Sequence, residues 1–154
     1  LKKLVPLECY IYSEMFWIRS ANKDYTMDNS TFTDYETHFT VMNYSDYEKK
    51  TIYDKEFLEY LKQNGINWDD IYRKIKTNLK EMFLIAGKDC PQMSDPYSRA
   101  VYGVDIMIDE ALNPRILEVN FSPDCTRACN FVPQFYDQIF STLFLEKDEG
   151  VEKL

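Results

Sequence analysis

Oxygen-bearing side chains that could bind a metal ion recur at alternating positions in two β-rich segments of the chain. Asp105 lies in the segment from Arg99 to Ile108, and Glu118 and Asn120 lie in the segment from Arg115 to Phe121. Side chains alternate between the two faces of a strand, so Glu118 and Asn120 share a face. Carboxylate and amide oxygens suit hard cations such as Mg²⁺ or Mn²⁺, which complete their shells with phosphate oxygens and water. The pattern therefore indicates nucleotide chemistry.

The short connection between the two segments predicts a hairpin with a defined register. Glu110 to Asn113 can form its loop, which places Asp105 opposite Glu118 and Gly103 opposite Asn120. The opposite face would be apolar and would carry Val104, Ile106, Leu117 and Val119. Two facing carboxylates repel, and a divalent cation removes that penalty. The alternative is an amphipathic hairpin whose polar face is simply solvated.

Composition and charge exclude several classes of protein. The 154 residues are 45% hydrophobic and 16% aromatic, which predicts a globular domain, and the net charge of -8 disfavours nucleic acid as a partner. No apolar run reaches the roughly 18 residues that span a bilayer, so no membrane association is expected. Four cysteines without CxxC spacing favour reduced thiols. Because initiator Met and signal peptide are both lacking, we expect a piece of a longer cytoplasmic protein.

The segments before the hairpin predict strands followed by helices. One strand is expected from Leu7 to Arg19, an ordered loop from Ser20 to Thr37, and a short strand from Phe39 to Tyr44. Apolar residues at helical spacing predict a helix between Asp54 and Gln63 and a longer one from an Asn67 N-cap to Gly87.

The segments after the hairpin predict one amphipathic helix and a tail. Pro133 stands at a plausible first position of this helix, and the acidic residues after Leu145 are expected to fray. The order of elements predicts an α+β fold, mainly an antiparallel sheet with helices packed on one face, in a domain of residues 1–145 with a tail of 146–154. The predicted core includes Leu79, Phe83, Ile106, Val119 and Phe140.

The hairpin resembles the last magnesium motif of the tubulin tyrosine ligase-like family. That motif is a G-x-D strand followed by L-x-E-V-N-x-x-P, and this chain has YGVDIMID at 102–109 and ILEVNFSP at 116–123. Similarity to the family continues in FWIR at 16–19, YETHFT at 35–40, VMNY at 41–44, CTRAC at 125–129 and STLF at 141–144. The resemblance covers the chain from about Pro6 to Leu145.

The resemblance implies the C-terminal part of an ATP-grasp domain with ATP and Mg²⁺ (or Mn²⁺) as cofactors. Asp105, Glu118 and Asn120 match the family's metal ligands. Arg19 matches an arginine at a strand end that contacts a phosphate or acyl phosphate, which makes it the candidate catalytic residue; a rim salt bridge is the alternative role. Asn43 matches the Asn of the family's T-N motif and would line the nucleotide site.

Two functions are compatible with this resemblance. The first is part of an amino-acid ligase that joins a carboxylate to an amine through an acyl phosphate and acts on tubulin or another protein. The second is a catalytically impaired pseudoenzyme that binds nucleotide and tubulin or another protein and regulates tubulin modification without ligation. Met42 stands where active members carry a hydroxyl, which weakens the match on the amino-acid acceptor side, and the resemblance alone does not choose between the two functions. The family's phosphate-binding lysines lie upstream of the matched region, so the isolated chain is expected to be inactive.

Overall fold

The computed structural model describes residues 1–14, 16–40 and 51–154, with only the backbone described for 51–53. The chain divides into two compact units, one formed by Leu1–Glu14 with Asn67–Leu154 and the other by Met15–Ile66. Its strands and helices are β1 (Tyr10–Tyr12), β2 (Trp17–Arg19), α1 (Tyr35–His38), β3 (Thr51–Tyr53), α2 (Asp54–Gln63), α3 (Trp68–Asp89), β4 (Tyr102–Ile108), β5 (Pro114–Phe121), α4 (Thr126–Phe131), α5 (Phe135–Phe144) and β6 (Val151–Lys153).

The mixture of helices and antiparallel pairs confirms the α+β class. In the described residues the strands form three two-stranded sheets, β1 with β6, β2 with β3, and β4 with β5, rather than one larger sheet. No helix in the described ranges combines the length and the apolar character that crossing a membrane requires.

Helix α3 forms the centre of the larger unit. The Asn67 side chain caps it by accepting a hydrogen bond from the backbone N–H of Asp69 at 3.1 Å. Ile71, Ile75 and Leu79 recur every four residues on one face, and all three are buried. The predicted helix and its cap are therefore confirmed, and so is the burial of Leu79.

The C-terminal segment is a strand rather than the frayed tail that its acidity predicts. β6 pairs antiparallel with β1, with Tyr10 opposite Lys153 and Tyr12 opposite Val151. Gly150 adopts a positive φ of 68° just before the strand, which glycine tolerates without strain. Glu152 forms an ion pair with Lys76 of α3. Edge pairing to β1 outweighs the unfavourable local charge, which is why composition alone misled the prediction.

The segment from Leu7 to Arg19 holds two strands instead of the single predicted one. β1 pairs with β6, whereas β2 pairs with β3, so the two strands belong to different sheets. The boundary between the compact units falls between them, after Glu14. A continuous run of β-forming residues cannot reveal such a change of partner.

The smaller unit contains the predicted helix over Asp54–Gln63, which is confirmed as α2. The predicted loop before it is ordered but includes the short helix α1, capped by Asp34, whose carboxylate accepts from the backbone N–H of Glu36 at 3.0 Å. Lys23 Nζ lies 3.0 Å from Asp34 Oδ2 and 3.0 Å from Glu36 Oε2. Of the strand predicted from Phe39 to Tyr44, residues 39 and 40 are not in a strand. The rest lies outside the described residues.

Two helices follow the hairpin where one was predicted. α4 was not anticipated, and α5 begins at Phe135 with Gln134 as N-cap, two residues after Pro133. The buried residues of α5 are Phe135 and Thr142, two turns apart. Phe140 lies about 140° around the helix from Phe135. It is 55% exposed, so its prediction as core is wrong.

Candidate functional site

β4 and β5 form the hairpin that carries the candidate metal ligands. Asp105 lies opposite Glu118 and Gly103 lies opposite Asn120, so the predicted pairing is confirmed. The hairpin closes through Asp109, whose backbone N–H donates to the carbonyl oxygen of Asn113 at 3.0 Å. Directly opposed residues of an antiparallel pair project to the same face. The two carboxylates and the amide therefore share one side of the hairpin.

A β-bulge next to this pair changes the opposite face. The register shifts between Asp105 and Ile106, and Ile106 lies opposite Ile116 instead of Leu117. Leu117 is the extra residue of the bulge and is 59% exposed, so its predicted place on the apolar face is wrong. Ile116 takes that place, and Ile106 is only partly buried.

The apolar face of the hairpin packs toward α3, where it meets the predicted core residue Phe83. The rings of Phe83 and Tyr102 are 5.6 Å apart. Phe83 and Val119 are both partly buried, less than their prediction as core implies. A cavity of about 100 Å³ opens here and is lined in part by Cys9, Leu79 and Tyr102. The hairpin residues that line it, Tyr102 and Val104, project to the face opposite Asp105, so this cavity is not the candidate metal site.

The polar face presents three oxygen donors to solvent. Asp105, Glu118 and Asn120 are all exposed. The Asn120 amide nitrogen donates to Glu118 Oε1 at 2.9 Å. This hydrogen bond uses the amide nitrogen and leaves the amide oxygen of Asn120 as a possible ligand. Two carboxylates and an amide oxygen form a donor set that fits a hard divalent cation.

The donor set is incomplete as a cage made of protein alone. Across the described residues, no three His, Cys, Asp or Glu side chains gather where they could hold a metal ion together. A cation on this face would therefore need water or phosphate oxygens to complete its shell, the usual arrangement for Mg²⁺ bound with a nucleotide.

The hairpin loop is tied together by the Asp109 carboxylate. It accepts from the backbone N–H groups of Ala111 at 3.1 Å and Asn113 at 2.8 Å, and it forms an ion pair with Arg115 at 3.2 Å. The hydrogen bond from Asn113 is the main reason that the pKa of Asp109 lies below its ordinary value. The loop thus has a defined geometry, from which the strands extend toward Asp105 and Glu118.

Helix α3 contributes two anchors for this loop that sequence reasoning missed. Lys74 Nζ donates to Asn113 Oδ1 at 2.9 Å and to the Leu112 carbonyl oxygen at 3.3 Å. Asn78 Nδ2 donates to the carbonyl oxygen of Pro114 at 3.1 Å. Lys74 and Asn78 are four residues apart and therefore lie on the same helix face. The four-residue spacing of these two polar side chains next to the apolar stripe of α3 could have indicated a contact, although it does not identify the hairpin loop as the partner.

The other two predicted site residues, Arg19 and Asn43, lie outside the larger unit that contains the hairpin. Arg19 is the exposed last residue of β2, in the smaller unit. Asn43 lies outside the described residues. Their predicted contacts with phosphate and nucleotide remain predictions.

Comparison with known proteins gives matches along nearly the whole chain. The model of the tubulin-tyrosine ligase family matches residues 1–152. Tubulin--tyrosine ligase-like protein 12 of Homo sapiens is 38% identical over 97% of this chain and 25% of its own length, and that of Caenorhabditis elegans is 38% identical over 96% and 23%. A tubulin monoglutamylase of Mus musculus is 31% identical over 77% of this chain and 11% of its own length. The chain thus spans about a quarter of the length of the first two relatives.

Proposed function

Because the chain belongs to the tubulin-tyrosine ligase family, we propose that it is the C-terminal part of an ATP-grasp domain that joins an amino acid to tubulin. The observation that carries this proposal is the pairing of Asp105 with Glu118, with Asn120 on the same exposed face. The relatives include proteins named for tubulin glycylation and monoglutamylation, which supports tubulin as the substrate.

The proposed reaction joins a carboxylate to an amine through an acyl phosphate formed with ATP. When bound, Mg²⁺ would offset the negative charge of the nucleotide phosphates during phosphoryl transfer. Asp105 and Glu118 would neutralise the cation, and Asn120 would add a neutral oxygen ligand. The Arg19 guanidinium would donate hydrogen bonds to phosphate or acyl-phosphate oxygens. Asn43 would line the nucleotide site.

A pseudoenzyme is the second candidate, and Met42 is the observation that favours it. Active members of the family are expected to carry a hydroxyl at this position, and Met supplies none. Such a protein would still bind Mg-ATP through the hairpin and would bind tubulin without modifying it. Both candidates place the protein in the cytoplasm, with tubulin or another protein as its partner.

Transfer of labelled amino acids to tubulin tests the proposal and separates the two candidates. The full-length protein is incubated with tubulin, Mg-ATP and labelled tyrosine, glutamate or glycine. If the protein is a ligase, Glu118→Gln should abolish incorporation. Glu110→Gln should leave it unchanged, because Glu110 is exposed in the loop of the same hairpin, away from the candidate ligands. Incorporation that survives Glu118→Gln would refute the role of the hairpin. Mg-ATP binding without transfer of any amino acid would favour the pseudoenzyme.

A further inference from the structure

The chain leaves β5 by folding back over the polar face of the hairpin. The Ser122 N–H donates to the carbonyl oxygen of Val101 at 3.3 Å, and Ser122 adopts a left-handed backbone conformation with a φ of 56°. The Pro123 ring then lies over Gly103, because a Cβ built at Gly103 would stand 2.9 Å from Pro123 Cβ. A Cβ at position 103 projects to the same face as Asp105, two residues along the strand. The proline ring therefore lies on the face of the candidate metal ligands.

Glycine is needed at position 103 for space rather than for backbone conformation. The glycines with positive φ are Gly65 and Gly150, so Gly103 does not occupy a region that other residues avoid. Real Cβ atoms essentially never approach another heavy atom as closely as 2.9 Å, so any side chain here would displace Pro123. The proline ring cannot rotate out of the way as a flexible side chain could, because it is closed onto the backbone.

The residues after Pro123 form a turn that is closed by local hydrogen bonds. Asp124 Oδ1 accepts from both the backbone N–H of Thr126 at 2.9 Å and its hydroxyl at 2.7 Å. The hydroxyl is the main reason that the pKa of Asp124 lies below its ordinary value. The Cys125 thiol also donates to the carbonyl oxygen of Pro123 at 3.4 Å. Because these bonds join residues 123–126 to one another, we expect a shift of Pro123 to move this turn as a unit and to displace the preceding residues toward Asn120.

We propose that Gly103 and Pro123 are positioning residues for the candidate metal site. Asn120 is the direct cross-strand partner of Gly103 and lies three residues before Pro123. Contact between Gly103 and the proline ring fixes the end of β5, and with it the position of the Asn120 amide relative to Glu118. This inference rests on the proposed function, since it assigns these residues a role in Mg²⁺-dependent nucleotide binding.

A double-mutant cycle in the full-length protein tests the contact and its role. Wild type, Gly103→Ala, Pro123→Gly and the double variant are titrated with Mg²⁺ at fixed ATP. Gly103→Ala should raise the Mg²⁺ concentration for half-maximal ATP binding roughly tenfold, because it displaces Pro123. The double variant should be no worse than Pro123→Gly alone, since that change removes both ring atoms near position 103. Independent effects that multiply in the double variant would overturn the contact.

Hydrogen exchange without nucleotide supplies a second readout. Gly103→Ala should accelerate amide exchange in residues 119–126 in a wild-type background and have little further effect in the Pro123→Gly background. If Glu118→Gln weakens ATP binding as expected but Gly103→Ala keeps the wild-type Mg²⁺ dependence, the positioning role alone would be overturned. A wild-type protein without Mg²⁺-dependent ATP binding would overturn the proposed function and this inference together.

Discussion

Replacing Leu79 with alanine should destabilise the larger unit by about 3 kcal/mol. Leu79 is 5% exposed and lines the cavity of about 100 Å³ between α3 and the hairpin. Losing three buried carbon atoms removes about 0.8 kcal/mol of transfer free energy for each. The part of the new void that neighbouring side chains do not refill adds about 24 cal/mol for each Å³, which brings the total to about 3 kcal/mol if most of it is refilled. The estimate falls within the roughly 2–5 kcal/mol typical of buried Leu→Ala changes.

The thiol of Cys9 reports this loss of stability locally. Cys9 is 3% exposed, lines the same cavity, and has a pKa raised by burial. Labelling therefore requires transient opening of the larger unit, and its rate should follow the population of the open state. A change of about 3 kcal/mol should accelerate labelling of Cys9 by roughly two orders of magnitude, since each 1.4 kcal/mol corresponds to a factor of ten.

Leu84→Ala provides the matched control, because it makes the same change in the same helix at a residue that is 49% exposed. It should alter the labelling rate of Cys9 by less than about fivefold. Mass spectrometry of the peptide that contains Cys9 separates its labelling from that of the other cysteines. If Leu79→Ala accelerated labelling less than about threefold, or no more than Leu84→Ala, the assignment of Leu79 to the core would be refuted.

Two further perturbations test other parts of the fold. Phe135→Ala should destabilise the larger unit by about 3–5 kcal/mol and Phe140→Ala by about 1 kcal/mol or less, because Phe135 is 6% exposed and Phe140 is 55% exposed. Equal losses of unfolding free energy, measured by hydrogen exchange, would contradict the assigned orientation of α5. Burial, followed by the hydrogen bond to Glu8, raises the pKa of Tyr10 to about 12. Because the fold favours the neutral phenol, the contribution of Tyr10 to stability should be complete below about pH 10 and lost as the pH rises toward 12. Tyr10→Phe should remove this alkaline transition from an absorbance titration. A transition that is unchanged in Tyr10→Phe would contradict its assignment to Tyr10.

The elements with a strong local pattern were predictable from the sequence. Ile71, Ile75 and Leu79 repeat at helical spacing after an Asn67 cap, and both signals are contained within α3 itself. The pairing of Asp105 with Glu118 followed from alternation and loop length, which are also local. Those two patterns were sufficient to predict the shared face of the candidate ligands.

The features that the sequence did not reveal depend on contacts distant along the chain. β6 forms because Val151–Lys153 pairs with the edge of β1, and the composition of an acidic tail does not indicate that partner. The bulge at Leu117 shifts one strand against the other by a single residue, which simple alternation cannot anticipate. The contact of Pro123 with Gly103 likewise depends on the turn at Ser122.

Calorimetric titration of the full-length protein with ATP in Mg²⁺ tests the central claim most directly. Glu118→Gln preserves the shape of the side chain and removes a charge that would neutralise the cation, so ATP affinity should fall at least about tenfold. Glu110→Gln, the same change in the exposed loop, should bind as wild type does. Without metal, Glu118→Gln should melt at the same or a higher temperature, because it relieves repulsion with Asp105. Equal ATP affinity for wild type and Glu118→Gln would contradict the assignment of this hairpin as a metal site.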